Sequence, residues 1–312
     1  MMLHYSVLKK ELIDSLNIKS DGVYVDATVG YAGDAKEILK RIKRGYLFAF
    51  DQDPAAVEYS TNELSCISEN FKIFNTNFEH LTECLESVGV TEVDGIILDL
   101  GFSSPQIDDE ARGFSFMHDG DLDMRMSNEG MSAKDIVTNY DEKELVQLFF
   151  AYGEEKLSKV IAKEIVKTRK EAPITTTLEL VSVIERAVGA NYFYKFHPER
   201  KIFQALRIEV NNELKVLESV LPQAIHLLKP GGRLSVITFH SLEDRIVKNV
   251  FKKYSEVDEI VKGMIEIPDA YKPLVKLVNR KPILPSEEEL KENSRSRSAK
   301  LRVVERTDAS GK

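Results

Sequence analysis

The chain has 312 residues, of which 43% are hydrophobic and 30% are charged, so it can form a substantial core and is neither disordered nor fibrous. Its formal net charge of −8 argues against binding of polyanions over the whole surface. The two cysteines are too few for a disulfide framework and indicate reduced thiols in a cytoplasmic protein.

Basic charge is nevertheless concentrated in two segments. Residues 156–171 and 291–306 each contain six basic and two acidic residues, and local basic patches of this kind favour nucleic-acid binding. No apolar run approaches the ~18 residues of a membrane span. The N-terminus lacks the continuous apolar stretch of a secretory signal.

The first hundred residues alternate short apolar runs with helical patterns. Strands are predicted at Val23–Asp26, Tyr46–Asp51, Phe71–Asn75 and 93–100, and helices at 35–43, 54–64 and 79–88. This alternation is typical of βαβ units that form a parallel sheet covered on both faces.

The pattern changes after Leu100. Residues 101–130 predict a loop, residues 143–218 are helical in period, and a helix stop at 229–232 precedes a strand at 233–239, a helix at 242–254 and β segments near 261–267 and 299–304. Residues 282–298 predict an extended surface segment. We therefore expect an α/β sheet domain (1–106 and 212–312), interrupted between strands four and five by a mainly helical insertion (107–211) that would recognise RNA.

A glycine-containing turn follows the first strand, with the sequence DATVGYAGD at 26–34. Glycines let the backbone approach a ligand closely, and the next helix presents free N–H groups. The spacing of Gly30 and Gly33 is not that of a dinucleotide fingerprint. Asp51 ends the next strand, where an acid can accept both ribose hydroxyls. This combination favours S-adenosylmethionine over NAD, although an ordinary tight turn with a helix-capping Asp would give the same pattern.

Strand four runs into a polar loop at the same sheet edge. Asp99, Ser103, Ser104 and Gln106 should converge on the ligand there, unless Asp99 only caps a turn. The acids around His118 (Asp119, Asp121 and Asp123) lack the order of a calcium loop, and the other histidines show no zinc spacing. We expect no metal site.

Six ordered motifs resemble the bacterial ribosomal RNA small subunit methyltransferase H family over nearly the whole chain. They are LGFSSPQ at 100–106, RGFSF at 112–116, LDMRM at 122–126, FQALRIEVN at 203–211, TFHSLEDR at 238–245 and RSRSAKLR at 295–302. The resemblance implies a class I (Rossmann-like) S-adenosylmethionine-dependent methyltransferase that modifies N4 of a cytidine near the P site of 16S ribosomal RNA. The oligomeric state, monomer or homodimer, stays open.

The family's cofactor-binding positions fall on this chain at Ala32, Gly33, Asp34, Asp51, Phe78, Asp99 and Gln106. The family pattern at 32–34 is Gly-Gly-His. Ala32 is a small departure if its φ is negative, whereas Asp34 puts an anion where the family has an imidazole ring.

Methyl transfer to N4 needs an acceptor for the amino hydrogen, because the nitrogen lone pair is delocalised into the ring. Asp99, Ser103, Ser104, Asp123 and His240 are the candidate catalytic residues, and the sequence does not choose among them. Two alternatives are a non-catalytic RNA-binding assembly factor on the same fold and, on the fold alone, an NAD-dependent oxidoreductase.

A lysine stripe marks the insertion. Lys156, Lys159, Lys163, Lys167 and Lys170 recur at helical spacing, beside a predicted apolar stripe of Leu157, Val160, Ile161 and Ile165. The stripe would contact RNA phosphates or would be an ordinary solvated face.

Overall fold

The computed structural model describes residues 7–102, 104–127 and 129–309, which form two compact units. The sheet unit comprises the described residues up to Gly101 and from Leu214 onward, and the helical unit spans Phe102–Glu213. The sequence places these boundaries at 106/107 and 211/212, a few residues away.

The sheet unit contains seven strands in the order β3-β2-β1-β4-β5-β7-β6. Strands β1 to β5 are parallel, and β7 pairs antiparallel with both β5 and β6. This topology confirms the predicted class I methyltransferase fold. The strands are β1 (Val23–Asp26), β2 (Tyr46–Asp51), β3 (Phe71–Asn75), β4 (Val93–Asp99), β5 (Leu228–Thr238), β6 (Val275–Leu277) and β7 (Lys300–Arg306).

Helices cover both faces of this sheet. They are α1 (Lys9–Ser15), α2 (Gly33–Arg41), α3 (Pro54–Ser65), α4 (Leu81–Glu86) and, after the helical unit, α12 (Glu213–Leu227), α13 (Ser241–Ser255) and α14 (Glu287–Glu292). Successive β4 residues Ile96 and Ile97 enter different cores, one completed by α12 and α13 and the other by α1 and α2. Burial on both faces explains why the strands are nearly continuous apolar runs.

The helical unit has its own core, which includes Leu145, Phe149, Ile161 and Leu206. Ser132, Asp141 and Thr176 each cap a helix with a reciprocal capping box, in which the residue three positions on bonds back to the cap. The helices are α5 (Ser104–Asp108), α6 (Ala133–Asn139), α7 (Glu142–Ala151), α8 (Ser158–Glu171), α9 (Thr177–Val188), α10 (Ala190–Phe196) and α11 (Pro198–Val210).

Three predictions of secondary structure are wrong. Residues 261–267 contain no strand; a 3-10 turn occupies Glu259–Val261 and the next strand is β6. The segment 282–298 is not extended throughout, because α14 begins after its Ser286 cap. The loop 101–130 contains α5 and a 3-10 turn at Glu110–Arg112. These short elements depend on local caps and on pairing with β7, which hydrophobic periodicity does not report.

The two cysteines are both free thiols, with Cys66 exposed and Cys84 half-buried. Among the described residues, no helix combines the length and the apolar character that a membrane crossing requires.

Candidate active site

Three parallel strands end in acids at one edge of the sheet. Asp26, Asp51 and Asp99 are the last residues of β1, β2 and β4. The backbone N–H of Ala27 donates to the Ile97 carbonyl at 3.0 Å, and Thr28 Oγ1 accepts from the Asp99 N–H at 2.8 Å. These bonds fix the end of β1 against that of β4, at the sheet edge where α/β proteins bind ligands.

The turn after β1 has a left-handed backbone at two positions. Gly30 has φ +46°, which glycine adopts without steric cost. Ala32 has φ +61° and ψ 23° and precedes α2 as its N-cap. The condition under which Ala32 would be a small change from glycine, a negative φ, is therefore not met. Its Cβ places strain on the order of 1–2 kcal/mol at the entry to α2.

Asp51 organises this turn through both carboxylate oxygens. Oδ2 accepts from the Gly30 N–H at 2.9 Å, and Oδ1 accepts from the Asp53 N–H at 2.9 Å. Asn75 at the end of β3 donates its side-chain N–H to the Asp51 carbonyl at 3.0 Å. The carboxylate is thus held in one orientation by these two backbone bonds.

Asp26 and Asp99 lie in an environment that opposes their ionisation. Burial, then the charges of Asp34 and Asp51, raise the pKa of Asp26 to about 8 against a hydrogen bond from the Thr28 N–H. Burial, then the charges of Asp34, Asp26 and Glu243, raise the pKa of Asp99 well above its usual range. Asp26 was missed by sequence reasoning, because a single acid at the end of a strand resembles a turn cap.

His240 and Glu243 form the cap of α13, directly after β5. The Glu243 carboxylate accepts from the backbone N–H groups of Phe239 (2.8 Å) and His240 (3.2 Å), and the His240 ring accepts from the Glu243 N–H at 3.4 Å. Glu243 Oε1 lies 3.1 Å from His240 Nε2. The predicted catalytic histidine therefore has a structural role as a helix cap.

Phe78 stands just beyond the end of β3. It begins the 3-10 turn Phe78–His80, which Asn77 caps, and its half-buried ring packs against the sheet core. Asn77 donates to the Gln52 side chain at 3.0 Å, which ties this turn to the residue that follows Asp51.

Gly33 and Asp34 form the first turn of α2 in the sheet unit. The other predicted residues belong to the helical unit, except Ser103, which lies outside the described residues. Ser104 begins α5, and Gln106 lies in the same helix. Asp123 makes a bidentate contact with Arg125, with Nε to Oδ1 at 2.9 Å and a terminal nitrogen to Oδ2 at 2.7 Å. Burial alone would raise the pKa of Asp123, but the bonds and charge of Arg125 lower it overall.

The acids near His118 do not share ligand-like geometry with it. Asp119 accepts from the Leu178 N–H at 3.2 Å, and His118 lies 3.8 Å from Glu110. In the described part of the chain, these side chains do not form a group of three closely spaced donor atoms.

Four lysines of the stripe lie on α8, which packs against α7 and α9, whereas Lys156 precedes the helix, which begins at Ser158. Lys159, Lys163 and Lys167 are exposed, and Lys167 lies 3.8 Å from Glu164. Ile161 and Ile165 are buried as predicted, but Val160 is 45% exposed. The apolar stripe is therefore narrower than predicted, because Val160 falls on the lysine side of the helix.

The sheet edge suits a ligand that carries hydroxyl groups and positive charge. Asp51 offers acceptors, and Asp99 Oδ1 is buried without a hydrogen-bond partner among the described residues. A buried acceptor of this kind is stabilised by a donor or a cation brought by a ligand. Both features agree with S-adenosylmethionine, which has a ribose, a sulfonium and an α-amino group.

Several solved structures resemble this chain at low identity. An rRNA methylase from Streptococcus thermophilus matches with a TM-score of 0.42 and 12% identity over 99% of this chain and 100% of its own. A methyltransferase homolog from Pyrococcus horikoshii matches with a TM-score of 0.42 and 13% identity, over 96% of this chain and 66% of its own. A SAM-dependent O-methyltransferase from Thermotoga maritima matches with a TM-score of 0.42 and 7% identity, over 96% of this chain and 64% of its own.

The family comparison covers almost the whole length. The model of the MraW methylase family matches residues 1–307, which include the strand-end acids, the turn before α2 and all six motifs. Family membership decides for methyl transfer and against hydride transfer to NAD. The chain belongs to the MraW methylase family, and its methyl donor is S-adenosylmethionine.

Proposed function

We propose that this protein methylates the exocyclic N4 of a cytidine in 16S ribosomal RNA, near the P site of the small ribosomal subunit, in the cytoplasm. The observation that carries the proposal is the family match over residues 1–307 together with the six ordered motifs. The non-catalytic assembly factor on the same fold is the second candidate, and the experiment below separates the two.

The cofactor would lie along the edge formed by β1, β2 and β4. In this placement Asp51 accepts the ribose hydroxyls, and the turn at Gly30, Ala32 and Gly33 follows the amino-acid portion. Phe78 would border the adenine, while Asp34, Asp99 and Gln106 complete the predicted contacts. The fixed orientation of Asp51 supports its role, because two backbone bonds hold the carboxylate before any ligand arrives.

The reaction demands little covalent chemistry from the protein. S-adenosylmethionine, when bound, would supply its sulfonium methyl group to N4 in line, with the sulfur leaving as the neutral thioether of S-adenosylhomocysteine and one proton lost from N4. The residues around it must hold the cytosine N4 about 3 Å from the methyl carbon and exclude water. The target base must also leave its stack and enter a pocket.

A hydrogen-bond acceptor for the N4 amino group would raise its nucleophilicity. Asp99 is our first candidate, because its Oδ1 is buried and accepts no bond from the described residues. Ser103 and Ser104 remain the other proposed catalytic residues, whereas Asp123 and His240, also candidates from the sequence, are reassigned. Asp123 is already engaged by Arg125 and His240 caps α13, so we assign both a positioning role.

The direct test is methyl transfer from tritiated S-adenosylmethionine to small subunits lacking the modification, and to naked 16S rRNA. We expect label in a single nucleoside that co-migrates with N4-methylcytidine after complete digestion. An inactive Asp99→Ala variant that still binds RNA is the control. Label in another nucleoside would overturn the position, and binding without any transfer would favour the assembly factor.

The cofactor placement has its own test. Asp51→Ala should weaken S-adenosylmethionine binding by about 1.5–3 kcal/mol, as expected for the loss of charged hydrogen bonds. Calorimetry measures this effect, with circular dichroism to verify that the turn at Gly30 survives the loss of its acceptor. An unchanged affinity would remove Asp51 from the ribose role.

The α8 lysines are the proposed phosphate contacts. Changing Lys159, Lys163 and Lys167 to Gln should reduce the salt slope of RNA binding by about 2, at about 0.7 per neutralised phosphate of a single strand. The matched control changes Lys248, Lys252 and Lys253, three exposed lysines of α13, to Gln. If the salt slope of RNA binding is the same for the two triple variants, the lysines of α8 form an ordinary solvated surface and do not contact RNA phosphates.

A further inference from the structure

Helix α10 in the helical unit is rich in aromatic side chains that the core does not use. Its residues Ala190–Phe196 include Tyr192, Phe193, Tyr194 and Phe196, whereas aromatic residues make up 8% of the whole chain. Only Phe193 is buried, while Tyr194 is 67% exposed and Phe196 is 49% exposed. Burial in the core therefore accounts for Phe193 alone, and large exposed aromatics grouped on one element are typical of a binding surface.

The order of side chains around α10 places a lysine between the two exposed rings. Successive residues of an α-helix are rotated by about 100°, so Lys195 lies on the far side of the helix from Phe193, with Tyr194 and Phe196 on either side of it. Lys195 is exposed, and its Nζ lies 5.3 Å from the centre of the Phe196 ring. We call Tyr194, Lys195 and Phe196 the α10 platform.

Each exposed ring of the platform packs on a neighbour that is itself held in place. The Phe196 ring lies 4.7 Å from that of Tyr192, whose hydroxyl donates to the buried Glu155 carboxylate at 2.7 Å. The Tyr194 ring packs edge-on against the buried Phe193, with 5.3 Å between the ring centres. Rings that are held before a ligand arrives lose little freedom when a flat group stacks on them, so the platform is preorganised.

The exposed charge beside the platform is positive. Between residues 190 and 201 the basic residues are Lys195, Arg200 and Lys201, and the only acid is Glu199. Glu199 is buried beside His197, 3.0 Å from its Nδ1. Arg200 is exposed and lies over the Phe116 ring, 5.9 Å from its centre. Cations interleaved with exposed rings match a ligand in which flat bases alternate with phosphates.

We propose that the α10 platform binds single-stranded RNA, with one base stacked on Tyr194, another on Phe196 and the phosphate between them at Lys195. The inference rests on the RNA substrate of the proposed function and deepens it by giving unpaired nucleotides a site. Stacking on aromatic rings accepts every base, so α10 would hold the strand without reading its sequence. A second copy of this chain fits the platform less well, because lysine is depleted at the cores of protein–protein interfaces.

Fluorescence anisotropy of a labelled single-stranded RNA of about 12 nucleotides, titrated with the full chain, tests the platform. Tyr194→Ala and Phe196→Ala should each weaken binding by roughly 5- to 150-fold, the effect of removing one stacked ring. The salt slope of binding should not change in these variants, because neither ring is charged. Lys195→Gln should instead reduce the salt slope by about 0.7, as for one phosphate contact.

The sheet unit supplies a matched control. Tyr271 is an exposed aromatic residue outside the helical unit, and Tyr271→Ala should bind the RNA as the wild type does. Circular dichroism verifies that each variant keeps its fold.

Tryptophan fluorescence can report a stacked base directly, because the chain contains no tryptophan. Phe196→Trp keeps a flat ring, so it should retain RNA binding, and its emission should be quenched as bases stack on the indole. Tyr271→Trp should bind the RNA with unchanged emission. Because Phe196→Trp keeps the ring, its result stands even if an alanine variant misfolds.

The outcomes separate the platform from the proposed reaction. Full RNA affinity in both alanine variants, or RNA binding by Phe196→Trp without quenching, overturns the platform even if the label is found on N4. A changed oligomeric state of the alanine variants in sedimentation, at full RNA affinity, overturns it in favour of an interface between copies. Label in another nucleoside overturns the proposed position of methylation and leaves the platform standing, whereas a wild-type chain that binds no RNA overturns both.

Discussion

The two ends of β4 carry carboxylates in opposite surroundings. At the amino end, Asp94 accepts from Lys229 Nζ at 2.9 Å, from the Val23 N–H at 3.0 Å and from Lys19 Nζ at 3.1 Å. Burial alone would raise the pKa of Asp94, but these partners lower it overall. At the carboxyl end, Asp99 faces other acids and its pKa is raised.

The contrast separates a paired, stabilising carboxylate from a buried one whose ionisation is disfavoured, on the same strand. Asp94 pairs with Lys19 in the loop before β1 and with Lys229 at the start of β5. Its charge therefore stabilises the fold by connecting β4 to both segments. The folded protein disfavours ionisation of Asp99 and of its neighbour Asp26. Buried groups with perturbed titration cluster where proteins bind ligands or perform chemistry, and the left-handed Ala32 adds backbone strain at the same edge.

Asp26→Asn tests the carboxyl end with the largest expected effect. A folded pKa of about 8, above the unfolded value of ~3.9, means that the folded state holds a proton that the unfolded state has lost. The contribution of this group to the free energy of unfolding of the wild type is complete below ~pH 4 and decreases as the pH rises towards about 8. Asn does not titrate, so its free energy of unfolding has no such decrease. Relative to the wild type, the free energy of unfolding of the variant should rise by on the order of 3 kcal/mol between about pH 5 and about pH 8.

Urea unfolding of both proteins at the two pH values measures this gain. The difference between variant and wild type is the informative quantity, because all other titrations are shared. A difference that does not change with pH would show that Asp26 ionises normally in the folded protein.

Asp94→Asn tests the amino end and should have the opposite sign. A lowered folded pKa makes the contribution of Asp94 present above the unfolded value of ~3.9 and lost as the pH falls through the folded one. The free energy of unfolding of the variant should therefore be lower by about 1–2 kcal/mol near neutral pH. This is the lower end of the range for charged hydrogen bonds, because Lys19 and Lys229 are both partly exposed to solvent.

The same unfolding measurement, repeated in acid, checks this prediction. The loss should shrink as the pH falls below the unfolded value of ~3.9 and through the lowered folded pKa of Asp94. A loss of equal size in acid would assign it to packing and not to charge.

The backbone strain at the carboxyl edge gives a smaller effect. Ala35→Gly removes a buried methyl group from the first turn of α2 and should lower the free energy of unfolding by about 1–2 kcal/mol. Ala32→Gly removes an equally buried methyl group but relieves the left-handed strain at φ +61°, so its cost should be smaller by about 1 kcal/mol. Thermal unfolding of the two variants side by side decides, and equal losses would mean that Ala32 is not strained.

The cap of α13 should give the smallest change. His240→Ala should cost about 1 kcal/mol as a lost N-cap, whereas Asn, a strong cap residue, should restore most of that. We expect His240→Asn to keep wild-type binding of S-adenosylmethionine. Turnover distinguishes positioning from chemistry, because a cap role predicts that Asn rescues the rate and direct contact with the base predicts that it does not.

Much of this protein is readable along the chain. Three strands have the predicted bounds. β1 and β2 are buried parallel strands that form apolar runs between turns, and β3 is a half-buried edge strand. The turn at Gly30 and the acid at the end of β2 also follow from local patterns, and the structure joins them through the bond from the Gly30 N–H to Asp51. The six motifs identify the family because specific side chains recur in order.

Other features arise only when distant segments meet. The strand after α13 is β6 and not residues 261–267, because pairing with β7 decides which short segment joins the sheet. Val160 lies on the exposed side of α8 because the packing of α7 and α9 sets the buried face. Asp123 is engaged by Arg125, two residues away, through side-chain conformations that the sequence does not specify.

The raised pKa values of Asp26 and Asp99 belong to this second group. Asp26, Asp34 and Asp99 are ordinary acids in the sequence, and Asp94 looks no different from them. A carboxyl pKa depends on burial and on which charges lie within a few ångströms. Those neighbours come from β1, β2, β4, α2 and α13, so only the folded chain determines that the pKa of Asp94 is lowered while the pKa values of Asp26 and Asp99 are raised.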